Sequence, residues 1–163
     1  MIIILPINDF LKNLFPELNI EDNEQIVKVL NKHYTYLNFT PEIEIKHSFV
    51  HITIDIDQVS EQNKSFYKVQ SLCDKGRYDE AKPTLNKLIE ENHTNSEYYR
   101  VKGQIYSDEG NQEEAINYLI DALKWNPSNV WALIMMGNIY SKYKSDIDTA
   151  MIYNNQALDV YPN

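Results

Sequence analysis

The chain has 163 residues, a formal net charge of −9 and an apolar fraction of 43%. That length holds one medium domain, or a small domain followed by a short array. The acidic balance opposes binding to nucleic-acid backbones and to anionic membranes, and the single cysteine, Cys73, excludes an intrachain disulfide and fits a reducing compartment.

The start, MIIILP, is apolar but short, with neither a basic flank nor a small-residue cleavage site, so a signal peptide is not expected. No run approaches the ~20 apolar residues of a membrane span. These features predict a soluble, cytoplasmic protein. The heavy use of Ile, Asn, Lys and Tyr points to an AT-rich, bacterial genome.

Residues 1–61 read as a small α+β segment. Ile2 to Leu5 form a short strand ending at Pro6. Asn8 or Asp9 caps a helix through Phe10, Leu11, Leu14 and Phe15, stopped at Pro16. Glu21 to Tyr36 is a second helix, with Ile26, Val29, Leu30 and His33 on one face. The period then changes. Glu42 to Lys46 and His51 to Asp57 alternate polar with apolar, as half-buried strands do. A slip of phase between Ile45 and Val50 places a turn near His47–Ser48. The result is a β-hairpin near 42–57, with Ile2–Leu5 as a candidate third strand. A lone hairpin is marginal in water, so its apolar face must cover helix 22–36 or the helices that follow.

From Gln62 a period of 34 residues takes over. Gly103 and Tyr106 recur as Gly137 and Tyr140, and Gly110 and Ala115 are preceded at the same distance by Gly76 and Ala81. A fixed period of this length marks stacked helical pairs. The spacing predicts pairs at 62–75 and 78–92, 96–109 and 112–125, and 130–143 and 147–160. Ala81, Ala115, Ala150, Gly103 and Gly137 are small where two helices must approach closely. Glycine costs ~1 kcal/mol against alanine inside a helix, so two in register imply a packing reason.

Tyr99-x-x-Lys102-Gly103-x-x-Tyr106, then Ala115-x-x-x-Leu119, then Pro127, closely resembles the tetratricopeptide repeat. Three copies are read, at 62–95, 96–129 and 130–163. The outer two depart from the pattern. The first has Val69, Leu72 and His93 where Gly, Tyr and Pro are expected. The third has one extra residue in its inner turn, so Ala150, Ala157 and Pro162 fall one place late, and Asn154 stands where an apolar residue is expected. The resemblance implies a mostly α fold: an α-α superhelix of three helical hairpins, a solenoid, behind the α+β segment.

It also implies a concave groove lined by the first helix of each pair, which in this family commonly receives extended peptides or partner helices. The groove positions are then Asn63, Phe66, Gln70 and Asp74; Glu97, Arg100, Gln104 and Asp108; and Trp131, Ile134, Asn138 and Lys142. Gln70, Gln104 and Asn138 lie one repeat apart. Their amides carry donors and acceptors, so a ladder of them suits a peptide backbone of any sequence, unless they are simply solvated polar residues. Phe66, Trp131 and Ile134 add apolar contact, and Trp and Arg are favoured anchors. The clamp by which some relatives hold a chaperone's C-terminal carboxylate is not matched, because Phe66, Trp131 and Met135 take the basic positions. The mixed groove points to a partner with an apolar side chain and some basic character.

Catalysis and metal binding find little support. His47 and His51, with Asp55 and Asp57, resemble ligands, but residues four apart on a strand lie ~13 Å apart, too far for one ion unless the turn folds them together. His33 reads as boundary packing. Cys73 has Asp74 beside it, which raises a thiol's pKa, and no activating base. No GxSxG, HExxH, P-loop or paired-cysteine motif occurs. The expectation is therefore a non-enzymatic protein-binding scaffold with no cofactor. The array stops at Tyr161-Pro162-Asn163 without a polar capping helix. That predicts the N-terminal part of a longer protein. Two alternatives are the docking or regulatory region of an enzyme whose catalytic domain lies elsewhere, and a homo-oligomer formed through the uncapped last repeat.

Overall fold

The computed structural model of the chain describes residues 1–36 and 41–160; the expected stop at Pro162 lies outside them. Two compact units are present, Met1–Glu61 and Gln62–Asn163.

In the first unit the elements run β1 (Ile2–Pro6), α1 (Asp9–Leu14), α2 (Asn23–Tyr36), β2 (Glu42–Lys46) and β3 (Phe49–Thr53). The sheet has the order β1-β3-β2, antiparallel throughout, so Ile2–Pro6 does add a third strand to the hairpin. His47 forms the tight turn at φ 57°. Asn8 caps α1, its side chain accepting from the Phe10 N–H. Leu11 and Leu18 join Ile26 and Leu30 of α2 and Val50, Ile52 and Ile54 to form the core. His33 lies at the exposed edge of that face, with its ring edge-on to Phe15 and Tyr34.

One boundary differs from the sequence reading. The second strand stops at Thr53, and Ile56 already belongs to a helix, α3 (Ile56–Asp74). The alternation through Ile52 and Ile54 does not extend to Ile56, because the Val59 N–H closes a helical turn onto the Asp55 carbonyl. The first long helix thus begins six residues before Gln62.

The second unit continues with α4 (Tyr78–Glu91), α5 (Ser96–Asp108), α6 (Gln112–Trp125), α7 (Val130–Lys142) and α8 (Ile147–Val160). Gly76 and Gly110 take the left-handed φ values of 67° and 85° that let the chain reverse. In those turns a backbone bond joins residues five apart, Arg77 to Leu72 and Asn111 to Tyr106. In the third turn the matching bond spans six, Asp146 to Tyr140, and Ser145 takes the left-handed φ of 54°. The extra residue is absorbed there without disturbing the helices.

Packing follows the small residues. Ala81, Ala115 and Ala150 are buried. A Cβ on Gly103 would stand 2.9 Å from Leu119 Cγ, and one on Gly137 would meet the side-chain amide of Asn154. The position that departs from the repeat pattern, Asn154, therefore faces the glycine. One core joins Val69, Leu72 and Cys73 to Ala81, Leu85, Leu88, Tyr98, Val101 and Ile105. A second joins Ala115, Ile116, Leu119 and Ala122 to Ala132, Met136 and Ile139. Each core draws on more than one helical pair, which is how stacking supplies what a single hairpin lacks.

Candidate functional site

The residues expected to face a partner lie on α3, α5 and α7. Gln70 and Asp74 of α3 meet Arg100 and Gln104 of α5 around a recess of about 310 Å³, with Cys73 and Val101 completing its walls. Four positions that the family resemblance implied are thereby brought together. Trp131 and Asn138 do not line this recess, but both are exposed on α7, the indole by 66%.

Arg100 is held rather than free. Its guanidinium pairs with Glu97 at 2.9 Å and donates to the Gln104 side-chain oxygen at 3.1 Å. The side chain keeps only 12% of its exposure. The three amides are consequently not equivalent. Gln104 has its carbonyl occupied and offers its NH₂, whereas Asn138 stands in solvent. Phe66 packs its ring against Tyr98 at 5.0 Å, so much of its apolar surface belongs to the core. Ile134 is half-buried.

The local electrostatics are acidic. Asp74 and Asp108 are exposed near the ends of α3 and α5, Asp108 accepting from the Tyr78 hydroxyl at 3.0 Å. That bond, with burial and the Asp108 charge, pushes the Tyr78 phenol above its usual range. Burial, then Asp74 and Asp108, pushes the Cys73 thiol up as well. A thiol held protonated is a poor nucleophile. A maleimide at neutral pH is expected to label Cys73 many times more slowly in the native chain than in urea; equal rates would contradict its buried setting. Among the described residues no group of three or more His, Cys, Asp or Glu is placed to hold a metal ion. Nor, among them, is any helix long and apolar enough to cross a membrane.

Two features escaped the sequence reading. Tyr67 is 70% exposed and lies three and seven residues before Gln70 and Asp74, on the same face of α3. Its helical spacing from Gln70 was the available signal. Asn129 caps α7 through its side-chain oxygen, which accepts from the Ala132 N–H. Its NH₂ donates to Ser96 Oγ and to Glu97 Oε1, both at 2.7 Å. It therefore anchors the carboxylate that holds Arg100. Asn95 and Asn129, both buried helix caps, stand one repeat apart, so the 34-residue period marked this position too.

Adjacent antiparallel helical pairs, each reversing through a left-handed residue and sharing cores with its neighbours, define a helical-repeat protein. Residues 96–129, the α5–α6 pair, match the family model of the tetratricopeptide repeat, and the pairs on either side share its construction. Repeats of this family are protein-interaction scaffolds and generally non-catalytic. No curated protein matches the chain.

Proposed function

We propose that α3, α5 and α7 present a groove that binds a peptide or helix of a partner protein, and that the chain is a non-enzymatic scaffold. The observation that carries this reading is the recess in which Gln70 and Asp74 of one repeat face Arg100 and Gln104 of the next. Two polar side chains from each of two successive repeats converge there, Tyr67 stands exposed on α3 itself, and Trp131 stands exposed on α7. Aromatic side chains with one open face are the residue type that anchors interfaces. With Arg100 paired to Glu97, the unpaired charge bordering the recess is that of Asp74. The favoured partner therefore offers a basic group together with an apolar side chain.

The test uses a partner captured by the full chain from its native cell and then titrated as a purified protein. Replacing Trp131 and Asn138 together by alanine should weaken binding tenfold or more, as loss of an interface anchor does, with helical circular dichroism unchanged. Unchanged affinity would remove these residues from the site. Added salt should also weaken the complex, because the recess is acidic.

A further inference from the structure

We propose that the outer edge of β1 is an interface between two copies of this chain. β1 lies at the edge of the sheet, and the hydrogen bonds at its two ends fix which way its backbone points. The Ile54 N–H donates to the Met1 carbonyl, and the Ile7 N–H donates to the Ser48 carbonyl. In an antiparallel ladder the bonded pairs recur every second residue. Residues 1, 3, 5 and 7 therefore face β3, and Ile2, Ile4 and Pro6 turn their backbone groups outward. Ile2 and Ile4 each present one N–H and one carbonyl, while Pro6 has no N–H to offer.

The opposite edge is protected. β2 carries Glu42, Glu44 and Lys46 on the exposed face, and charges of this kind discourage strand addition. β1 carries none. Its outward side chains, Ile2 and Ile4, are 66% and 55% exposed. Among the described residues, the guard on this edge is Pro6, at one end.

That arrangement is self-complementary, which is the reason to assign a second copy. With Ile2 opposite Ile4 of the other copy, a two-fold axis passes through Ile3. The N–H and carbonyl of Ile2 and of Ile4 are then satisfied in each strand, giving four inter-copy hydrogen bonds, and the Pro6 carbonyl lies beyond the paired segment. The four isoleucines pack together on one face, and both prolines fall outside the paired segment. A shift of the axis to Ile4 also gives four bonds, but it sets each Ile2 carbonyl inside the paired segment opposite a proline with no N–H to donate. The paired segment is short, below the ~1,200 Å² of a stable interface, so the dimer is weak and concentration-dependent. The first unit carries four Lys and Arg against ten Asp and Glu. Salt should therefore strengthen the dimer by screening like charges, opposite to its effect on the groove.

Sedimentation of the full chain from micromolar to millimolar concentration should show a reversible monomer–dimer equilibrium that shifts toward dimer with added salt. Ile4→Pro removes a donor that the β1–β3 ladder does not use, and Ile4→Lys places a charge on the shared face. Each should abolish the dimer with the melting temperature little changed; if Ile4→Pro fails to fold, Ile4→Lys decides. Under mild oxidation Ile3→Cys should give a disulfide-linked dimer, since residues at a non-hydrogen-bonded crossing lie ~4.5 Å apart, and Ile2→Cys should not. A monomer at every concentration would overturn the proposal. So would a dimer that survives both Ile4 variants, or one cross-linked through Ile2→Cys alone.

Discussion

Gly103→Leu is expected to lower the stability of the repeats by up to about 2 kcal/mol, because overpacking of ~1–3 kcal/mol outweighs a helix-propensity gain of ~1 kcal/mol. For about a hundred residues that is a fall of roughly 10 °C in melting temperature. The reason lies in what a side chain would meet. A Cβ at this position comes to 2.9 Å from Leu119 Cγ and 3.2 Å from the Ala115 carbonyl oxygen. The carbonyl belongs to α6 and cannot swing aside. At Gly137 the nearest neighbour is the amide of Asn154, an exposed side chain that can rotate away. Gly137→Ala should therefore be neutral or slightly stabilising, Gly103→Ala destabilising, and Gly137→Leu intermediate. A double-mutant cycle isolates the cause. Leu119→Ala alone should cost ~2–5 kcal/mol, but combined with Gly103→Ala the loss should fall short of the sum, since the new methyl enters the space vacated. Urea unfolding followed by helical circular dichroism measures all four corners. Strict additivity would show that the contact between α5 and α6 does not explain the glycine.

Gly103 also illustrates what the sequence made legible. A 34-residue period preserves every position whose neighbours recur, so the small residues, the glycine turns and the helix ends of the repeats could be placed without coordinates. Gln70 and Gln104 came instead from the resemblance to the repeat family, which implied them as groove positions, and both line the recess. Pairwise side-chain choices carried no such signal. Nothing in the pattern shows that Arg100 turns back onto Glu97 and Gln104, or that Phe66 leans on Tyr98, since both depend on rotamers and on a neighbouring helix. The misplaced start of α3 has another cause. Ile54 and Ile56 satisfy a strand period, yet Asp55 and Val59 already satisfy a helical turn, and a stretch this short supports either. In the first unit, alternation was enough to form the sheet, but the strand order rested on whether Ile2–Leu5 joined it, which four residues alone could not decide.

Asn129→Ala is expected to cost roughly 3 kcal/mol, combining a lost helix cap of ~1 kcal/mol with lost bonds to a buried hydroxyl and a carboxylate, ~1.5–3 kcal/mol for the charged one. The residue is 5% exposed and ties the start of α7 to Ser96 and Glu97 of the preceding repeat. Ser96 in turn donates to the Ala122 carbonyl at 2.9 Å, so the link reaches the end of α6. Asn129→Asp separates cap from link. An aspartate keeps the oxygen that accepts from the Ala132 N–H, yet it places a second carboxylate within hydrogen-bond distance of Glu97. At pH 7 it should be at least as destabilising as alanine, although it is as good a cap. The two carboxyls would share a raised pKa in the folded state. A raised folded pKa contributes stability below the unfolded value, ~4, and loses it as pH rises through the folded value. The defect of Asn129→Asp relative to the parent chain should therefore shrink more steeply, as pH falls toward 4, than that of Asn129→Ala. If the aspartate variant matches the parent at pH 7, the cap accounts for the whole effect and Glu97 is held by Arg100 alone. If the defect behaves as expected, the hydrogen bonds that join two repeats also set the geometry of the arginine bordering the recess. Asn129→Ala should then weaken the partner binding proposed above without replacing any residue assigned to the groove.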